Sequence, residues 1–147
     1  MEELMEMREL LETGRYSEAL VLLGELEEMS KDEKINKIES FLQILLLHLI
    51  KQHAEKRSTR SWDASIRNSV SAIYRSNKRR KAGGYYLMPG ELREAIMEVY
   101  EAALTSASLE AFEGQYTEQQ LAQELDSQKV QQHALTLLLA AHPTEYQ

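Results

Sequence analysis

One segment constrains the fold more than any other. From Phe41 to Ile50 the sequence reads FLQILLLHLI, which places apolar side chains almost all round a helical axis. The same helix carries apolar residues at alternating spacings of three and four, at Ile35, Ile38, Leu42, Leu45 and Leu49. A helix that is apolar on all sides must be surrounded by other elements. We therefore predict an all-α, single-domain helical bundle of five to six helices with a long central helix.

Composition and end signals divide the chain into helical segments. There are only 6 Gly and 2 Pro, and residues that lose little rotamer freedom in a helix dominate. The predicted segments are residues 2–13, 17–29, 31–56, 62–80, 89–112, 117–125 and 127–141. Ser30 with Glu33 has the form of a capping box that begins the long helix, and Ser61 is the predicted cap of the next. We expect residues 1–126 to form the bundle domain and residues 127–147 a C-terminal helix and frayed tail, packed on the bundle or on a partner.

The sequence favours a cytoplasmic protein. It contains no Cys, so disulfides and thiolate metal sites are excluded. The first 20 residues are acidic and lack an apolar h-region. The longest apolar run, Ile44 to Ile50, is far shorter than the roughly 20 residues that cross a bilayer. We expect no membrane association and a monomer or small homo-oligomer.

Motifs for catalysis or metal binding are missing from the sequence. His48 and His53 are five positions apart, which does not place two ligands on one helical face, and there is no HExxH pattern. Glu25, Glu27 and Glu28 lack the Glu-x-x-His repeats of di-metal bundles. No phosphate-binding glycine loop or nucleophile elbow occurs. We therefore expect no metal, no cofactor and no catalytic residues.

Charge is strongly segregated along the chain. Residues 51–81 hold 10 Lys and Arg against 2 Asp and Glu, whereas both flanking segments are acidic. The candidate residues for binding a partner or an anion lie in and beside this segment: Lys51, Arg57, Arg60, Ser61, Trp62, Arg67, Arg75 and Lys78. In one interpretation Arg67, Arg75 and Lys78 form ion pairs with acidic residues of the following helix, Glu94, Glu98 and Glu101. In the other, the cations bind nucleic-acid phosphates and the aromatic residues stack on bases.

Three stretches resemble a known family. They are ELEEMS (Glu25 to Ser30), LLLHLIK (Leu45 to Lys51) and KRSTRSWDASI (Lys56 to Ile66), and they are similar to the mainly cyanobacterial family called domain of unknown function 29. The resemblance spans approximately Leu4 to Leu125 and implies an all-helical fold with no established activity. It places a polar signature on Glu25, Glu27, His48, Lys51, Arg57, Arg60, Ser61 and Trp62. This chain departs from the family pattern at Ala54-Glu55, where members have Gln-Pro, at Gly24, where members have Glu, and beyond Asp126.

Three functions follow from these observations, in decreasing order of support. The first is a non-catalytic helical protein–protein interaction module with an unknown protein partner. The alternative is a nucleic-acid-binding protein that uses the basic segment 51–81. The weakest is a hydrolase or nuclease-like enzyme whose cluster would combine Glu25 or Glu28 with His48, Lys51 and Arg60.

Overall fold

The computed structural model describes residues 2–79 and 83–142 of the chain. Its helices are α1 (Glu2–Glu12), α2 (Tyr16–Glu55), α3 (Arg60–Asn77), α4 (Pro89–Ser108), α5 (Glu118–Gln123) and α6 (Ser127–Ala141), with a 3-10 turn at Ala111–Gly114. The described residues contain no β-strand, only an isolated bridge between Lys78 and Tyr85. The predicted all-α class, the number of helices and the long central helix are confirmed.

The chain divides into two compact units, Met1–Lys34 and Ile35–Gln147. In the first, a tight turn joins α1 to the beginning of α2. The turn between them uses Gly14 at φ +74, where a residue without Cβ is not strained, and the Arg15 N–H donates to the Leu10 carbonyl at 2.8 Å. Leu10 of α1 and Ala19 of α2 are buried. We call residues 2–34 the N-terminal hairpin.

The second unit contains the main core. The part of α2 predicted to be central is completely buried at Ile38, Leu42, Leu45, Leu46, Leu49 and Ile50. These side chains share one hydrophobic cluster with residues of α3, α4 and α6, and α6 packs against both α3 and α4. Burial of each Leu or Ile side chain contributes roughly 1.5–3 kcal/mol, so this cluster dominates the stability of the unit.

Two predicted helix starts are wrong. The expected break before Lys31 is absent, because α2 continues from Tyr16 to Glu55. Ser30 and Glu33 are both exposed, and no Gly or Pro separates the two predicted segments, so nothing stops the helix. The cap of α3 is Thr59 rather than Ser61. Thr59 has extended backbone, and its hydroxyl accepts the Trp62 N–H at 3.1 Å.

Two predicted helix ends also differ from the structure. The basic helix α3 ends at Asn77, whereas Arg80, its predicted last residue, lies outside the described residues, as do Lys81 and Ala82. Beyond Asn77 the chain turns back: the Arg79 N–H donates to the Gly84 carbonyl. Similarly, α4 ends at Ser108 rather than Phe112. Residues 143–147 of the predicted tail are likewise outside the described residues. Among the residues that the structure describes, no helix is long and apolar enough to span a bilayer.

Candidate functional site

Trp62 is the centre of a cluster of charged residues at the end of α2. Its ring is buried, with the Lys51 Nζ atom 4.7 Å and the Arg57 guanidinium carbon 4.6 Å from the ring centre. A cation over an indole face contributes about 0.5–2 kcal/mol. Three residues selected from the sequence are brought together because α2 ends at Glu55, the next residue, Lys56, has left-handed backbone (φ 56), and α3 starts at Arg60.

Carboxylates neutralise both cations of this cluster. Lys51 donates to Glu110 at 2.9 Å and Arg57 donates to Glu55 at 2.9 Å. The second oxygen of Glu55 accepts the Phe112 backbone N–H at 3.2 Å. The cluster therefore attaches the segment after α4 to the end of α2, beside an open cavity of about 370 Å³.

The segment after α4 has a strained backbone. Phe112 and Glu113 have φ of 51 and 57, a left-handed conformation that costs non-glycine residues about 1–3 kcal/mol each. The Glu55 hydrogen bond and the stacking of Phe112 on Tyr116, with ring centres 4.5 Å apart, hold it in place. The sequence does not predict this turn, because neither position is Gly or Asn, the usual signals of left-handed backbone.

Basic residues of α3 and of the position just after it are exposed. At 100° per residue Arg60, Arg67 and Arg75 lie on one side of the helix, and Lys78 is the first residue after its end. Within residues 2–79 and 83–142 none of them forms an ion pair with a carboxylate, and Arg75 donates instead to the Ser71 hydroxyl at 3.0 Å. We call these four residues the basic face.

The predicted pairing of α3 with α4 is therefore wrong. Arg67, Arg75 and Lys78 do not contact Glu94, Glu98 or Glu101 through ion pairs in the described part of the chain. The reason is that α6 packs against both helices, so that each meets α6 instead of the other. The carboxylates of Glu94 and Glu98 line a separate cavity with Ile35 and Glu39.

An apolar groove of about 320 Å³ lies between α3 and α6, beside the basic face. Its floor consists of Ile66, Val70, Tyr74, Leu137 and Ala141, and Arg67 and Ser71 line it as well. The sequence left open whether the C-terminal helix packs on the bundle or on a partner, and it did not reveal a groove. We call this feature the α3–α6 groove.

The N-terminal hairpin exposes a second apolar surface. Met5 is 72%, Leu20 68% and Val21 65% exposed. On α2, Tyr16, Leu20 and Leu23 follow one another at the i, i+4, i+7 positions of a single face. The hairpin is also acidic, since residues 1–34 hold 11 Asp and Glu against 4 Lys and Arg. The sequence-selected acids Glu25, Glu27 and Glu28 are exposed there.

The proposed enzymatic cluster has no supporting contacts. His48 is half-buried, and its Nδ1 atom lies 2.8 Å from the Ile44 carbonyl oxygen, to which it donates. Among the described residues no hydrogen bond or ion pair links His48 to Lys51 or Arg60. Ser61 and Arg60 are exposed at the first turn of α3.

A histidine pair joins α2 to α6. His53 Nε2 and His133 Nδ1 are 2.9 Å apart, so one ring donates to the other. Burial lowers the pKa of His53, and the neighbouring His133 and Lys129 lower it further. Within the described ranges no three His, Cys, Asp or Glu residues are placed to hold a metal ion. Spacing within one helix does not predict this pair, because His53 and His133 lie on different helices.

Residues 4–134 match the family described as Domain of unknown function DUF29. The match includes the first half of α6, so the expected departure from the family beyond Asp126 is wrong for residues 127–134. No curated protein matches the chain. No solved structure matches it either.

Proposed function

The chain belongs to the family described as Domain of unknown function DUF29, and from this premise we propose that it is a non-catalytic helical module that binds protein through its N-terminal hairpin. The observation that carries the proposal is the exposed apolar surface of that hairpin. Scattered exposed apolar residues are ordinary, but Tyr16, Leu20 and Leu23 are consecutive members of one face. Such spacing is typical of helices that dock against a partner.

The energetics support the same function. Each Å² of apolar surface removed from water contributes about 25 cal/mol, and Met5, Leu20 and Val21 are each more than half exposed. Covering them with a partner therefore stabilises a complex. The arrangement of the charged cluster favours a non-catalytic module, because Lys51 and Arg57 are each bound to a carboxylate and not directed at a substrate.

Site-specific crosslinking tests the proposal. A photoreactive amino acid at Leu20 of the full chain, expressed in cells, is expected to give a covalent adduct with a protein, identified by mass spectrometry. Glu25 is the matched control, since it is also exposed but lies on the opposite side of α2. The proposal would be overturned if the photoreactive residue gave no adduct at Leu20 and none at Leu4. It would also be overturned if Glu25 gave as much adduct as Leu20.

One observation favours a second candidate, binding of nucleic acid through the basic face. Its four cations have no carboxylate partner within the described residues. Against it, residues 35–147 hold 13 Lys and Arg and 13 Asp and Glu, whereas a nucleic-acid-binding domain is normally basic as a whole. The apolar groove beside the basic face also has no role in binding phosphates. Protein binding therefore remains the preferred function.

Salt-dependent binding decides this second candidate. Fluorescence anisotropy with labelled RNA and DNA should show affinity that falls steeply between about 50 and 200 mM salt. The double variant Arg67→Glu, Arg75→Glu should lose binding, whereas Arg93→Glu, an exposed cation on α4, should not. Flat anisotropy curves with both nucleic acids remove the candidate.

A further inference from the structure

We infer that the α3–α6 groove binds the N-terminal hairpin of a second copy of this chain, so that the protein self-associates head to tail. The inference rests on the proposed function and names the partner of the hairpin. Two surfaces on the same polypeptide carry it. One is an apolar groove lined in part by Arg67, and the other is an apolar face on the acidic N-terminal hairpin.

The groove supplies the basic member of the pair. Its floor is formed by apolar side chains of both helices, and Arg67 lines it directly. Arg75 follows Arg67 on the same exposed side of α3, and Lys78 is the exposed residue just after the helix. Because these cations have no carboxylate partner in the described part of the chain, a docked acidic segment would not have to displace an existing ion pair.

The hairpin supplies the acidic member. Its apolar face includes Leu20 and Leu23, and residues 1–34, which carry this face, hold 11 acidic and 4 basic residues. Docking of such a helix into the α3–α6 groove would cover apolar surface on both sides. The acidic residues of the hairpin would then lie near Arg67 and Arg75. This attraction would raise the association rate and fix the orientation of the two copies.

Charge also selects this contact over the two symmetric ones. Two hairpins facing each other would bring together surfaces that each hold 11 acidic and 4 basic residues. Two basic faces in contact would likewise bring like charges together. Like charges at an interface are unfavourable, so the hairpin-to-groove contact is the one with complementary charge. Each copy has one hairpin and one groove, and the contact is therefore heterologous.

Complementation between two variants tests the inference. The groove variant is Arg67→Glu with Arg75→Glu, and the hairpin variant is Leu20→Ser with Leu23→Ser; all four residues are exposed. Mass measured by light scattering should increase with the concentration of the natural protein and should decrease at high salt. Each variant alone should associate at least about tenfold more weakly. An equimolar mixture should form a one-to-one heterodimer, because one variant retains the hairpin and the other retains the groove.

The possible outcomes separate the alternatives. A groove variant that still self-associates would indicate a hairpin-to-hairpin contact, and a hairpin variant that still self-associates would indicate contact between basic faces; either result overturns the inference. A monomer at all concentrations also overturns it. In that case, a crosslink from Leu20 to a different protein leaves the proposed function intact, whereas no crosslink at all removes both.

Folding controls keep the experiment interpretable. Circular dichroism and urea unfolding of each variant should match those of the natural protein, since the substituted side chains are exposed. Arg93→Glu reverses an exposed charge outside the basic face and should self-associate normally. Loss of association in Arg93→Glu equal to that of the groove variant would show a general charge effect and contradict the proposed contact.

Discussion

Lys51 and Glu110, 59 positions apart in the sequence, form an ion pair in which the ammonium donates to the carboxylate at 2.9 Å. The two partners differ in environment: the Lys51 side chain is 9% exposed and that of Glu110 is 51% exposed. A buried ammonium is costly unless it is paired, so Glu110 compensates for the burial of Lys51 at the edge of the core. The pair also holds the end of α2 against the segment that follows α4.

Removal of Glu110 should therefore destabilise the protein more than removal of an ordinary surface carboxylate. We expect Glu110→Ala to lower the free energy of unfolding by about 1–3 kcal/mol, because Lys51 loses its charged acceptor while it stays buried. Glu12→Ala is the matched control: Glu12 pairs with Arg8 at 3.0 Å where both side chains are exposed, and its loss should cost less than about 1 kcal/mol. Urea unfolding measures both, and equal losses would contradict this account.

The central helix could be predicted because its signal is local. Ile38, Leu42, Leu45 and Leu49 were selected by their spacing alone, and all four are completely buried. Periodicity reports which face of a helix is apolar, and α2 is apolar where the core surrounds it. The break expected before Lys31 was wrong because Ser30 and Glu33 are also tolerated inside a helix, and only the continuous backbone decides between the two.

The candidate site could be predicted only in part, because its contacts are distant in sequence. The sequence identified Lys51, Arg57 and Trp62 but not Glu110, whose position depends on the left-handed backbone at Phe112. The basic residues of α3 were predicted as candidate binding residues, and their side chains are exposed. Their expected partners on α4 were wrong because charge alone does not show that α6 packs against both helices.

Asn77 provides a test of the connection between α3 and α4. It is fully buried; its amide donates to the Leu87 carbonyl at 3.0 Å, and its oxygen accepts the Leu87 N–H at 2.7 Å. Asn77→Ala removes both hydrogen bonds and should cost about 1–3 kcal/mol in urea unfolding. Asn68→Ala, at an exposed position of α3, should be neutral or slightly stabilising because Ala favours helices. Similar unfolding free energies for the two variants would show that these hydrogen bonds contribute nothing to stability.

Gly114 and Gly90 form a second matched pair. A Cβ atom at Gly114 would lie 2.8 Å from the Leu109 carbonyl oxygen, and the residue has φ +74, whereas a Cβ at Gly90 would meet nothing within 4 Å. Gly114→Ala should therefore lower the unfolding free energy by more than about 1 kcal/mol. Gly90→Ala, inside the first turn of α4, should raise it by up to about 1 kcal/mol. Thermal unfolding of the two variants tests this, and similar shifts in their melting temperatures would show that the turn after α4 is not constrained.

The His53–His133 pair should make stability depend on pH. Burial lowers the pKa of His53 in the folded protein, with His133 and Lys129 acting in the same direction, so the unfolded chain binds a proton more readily. The stabilisation is therefore complete above the ordinary imidazole pKa of about 6.5 and is lost as pH falls through the lowered value.

Urea midpoints measured from about pH 8 to about pH 5 should fall more for the natural protein than for His53→Gln, in which residue 53 no longer titrates. Because burial also lowers the pKa of His142, the variant should retain part of the dependence, and the informative quantity is the difference between the two curves. Parallel curves would show that the approach of the two rings at 2.9 Å has no energetic consequence.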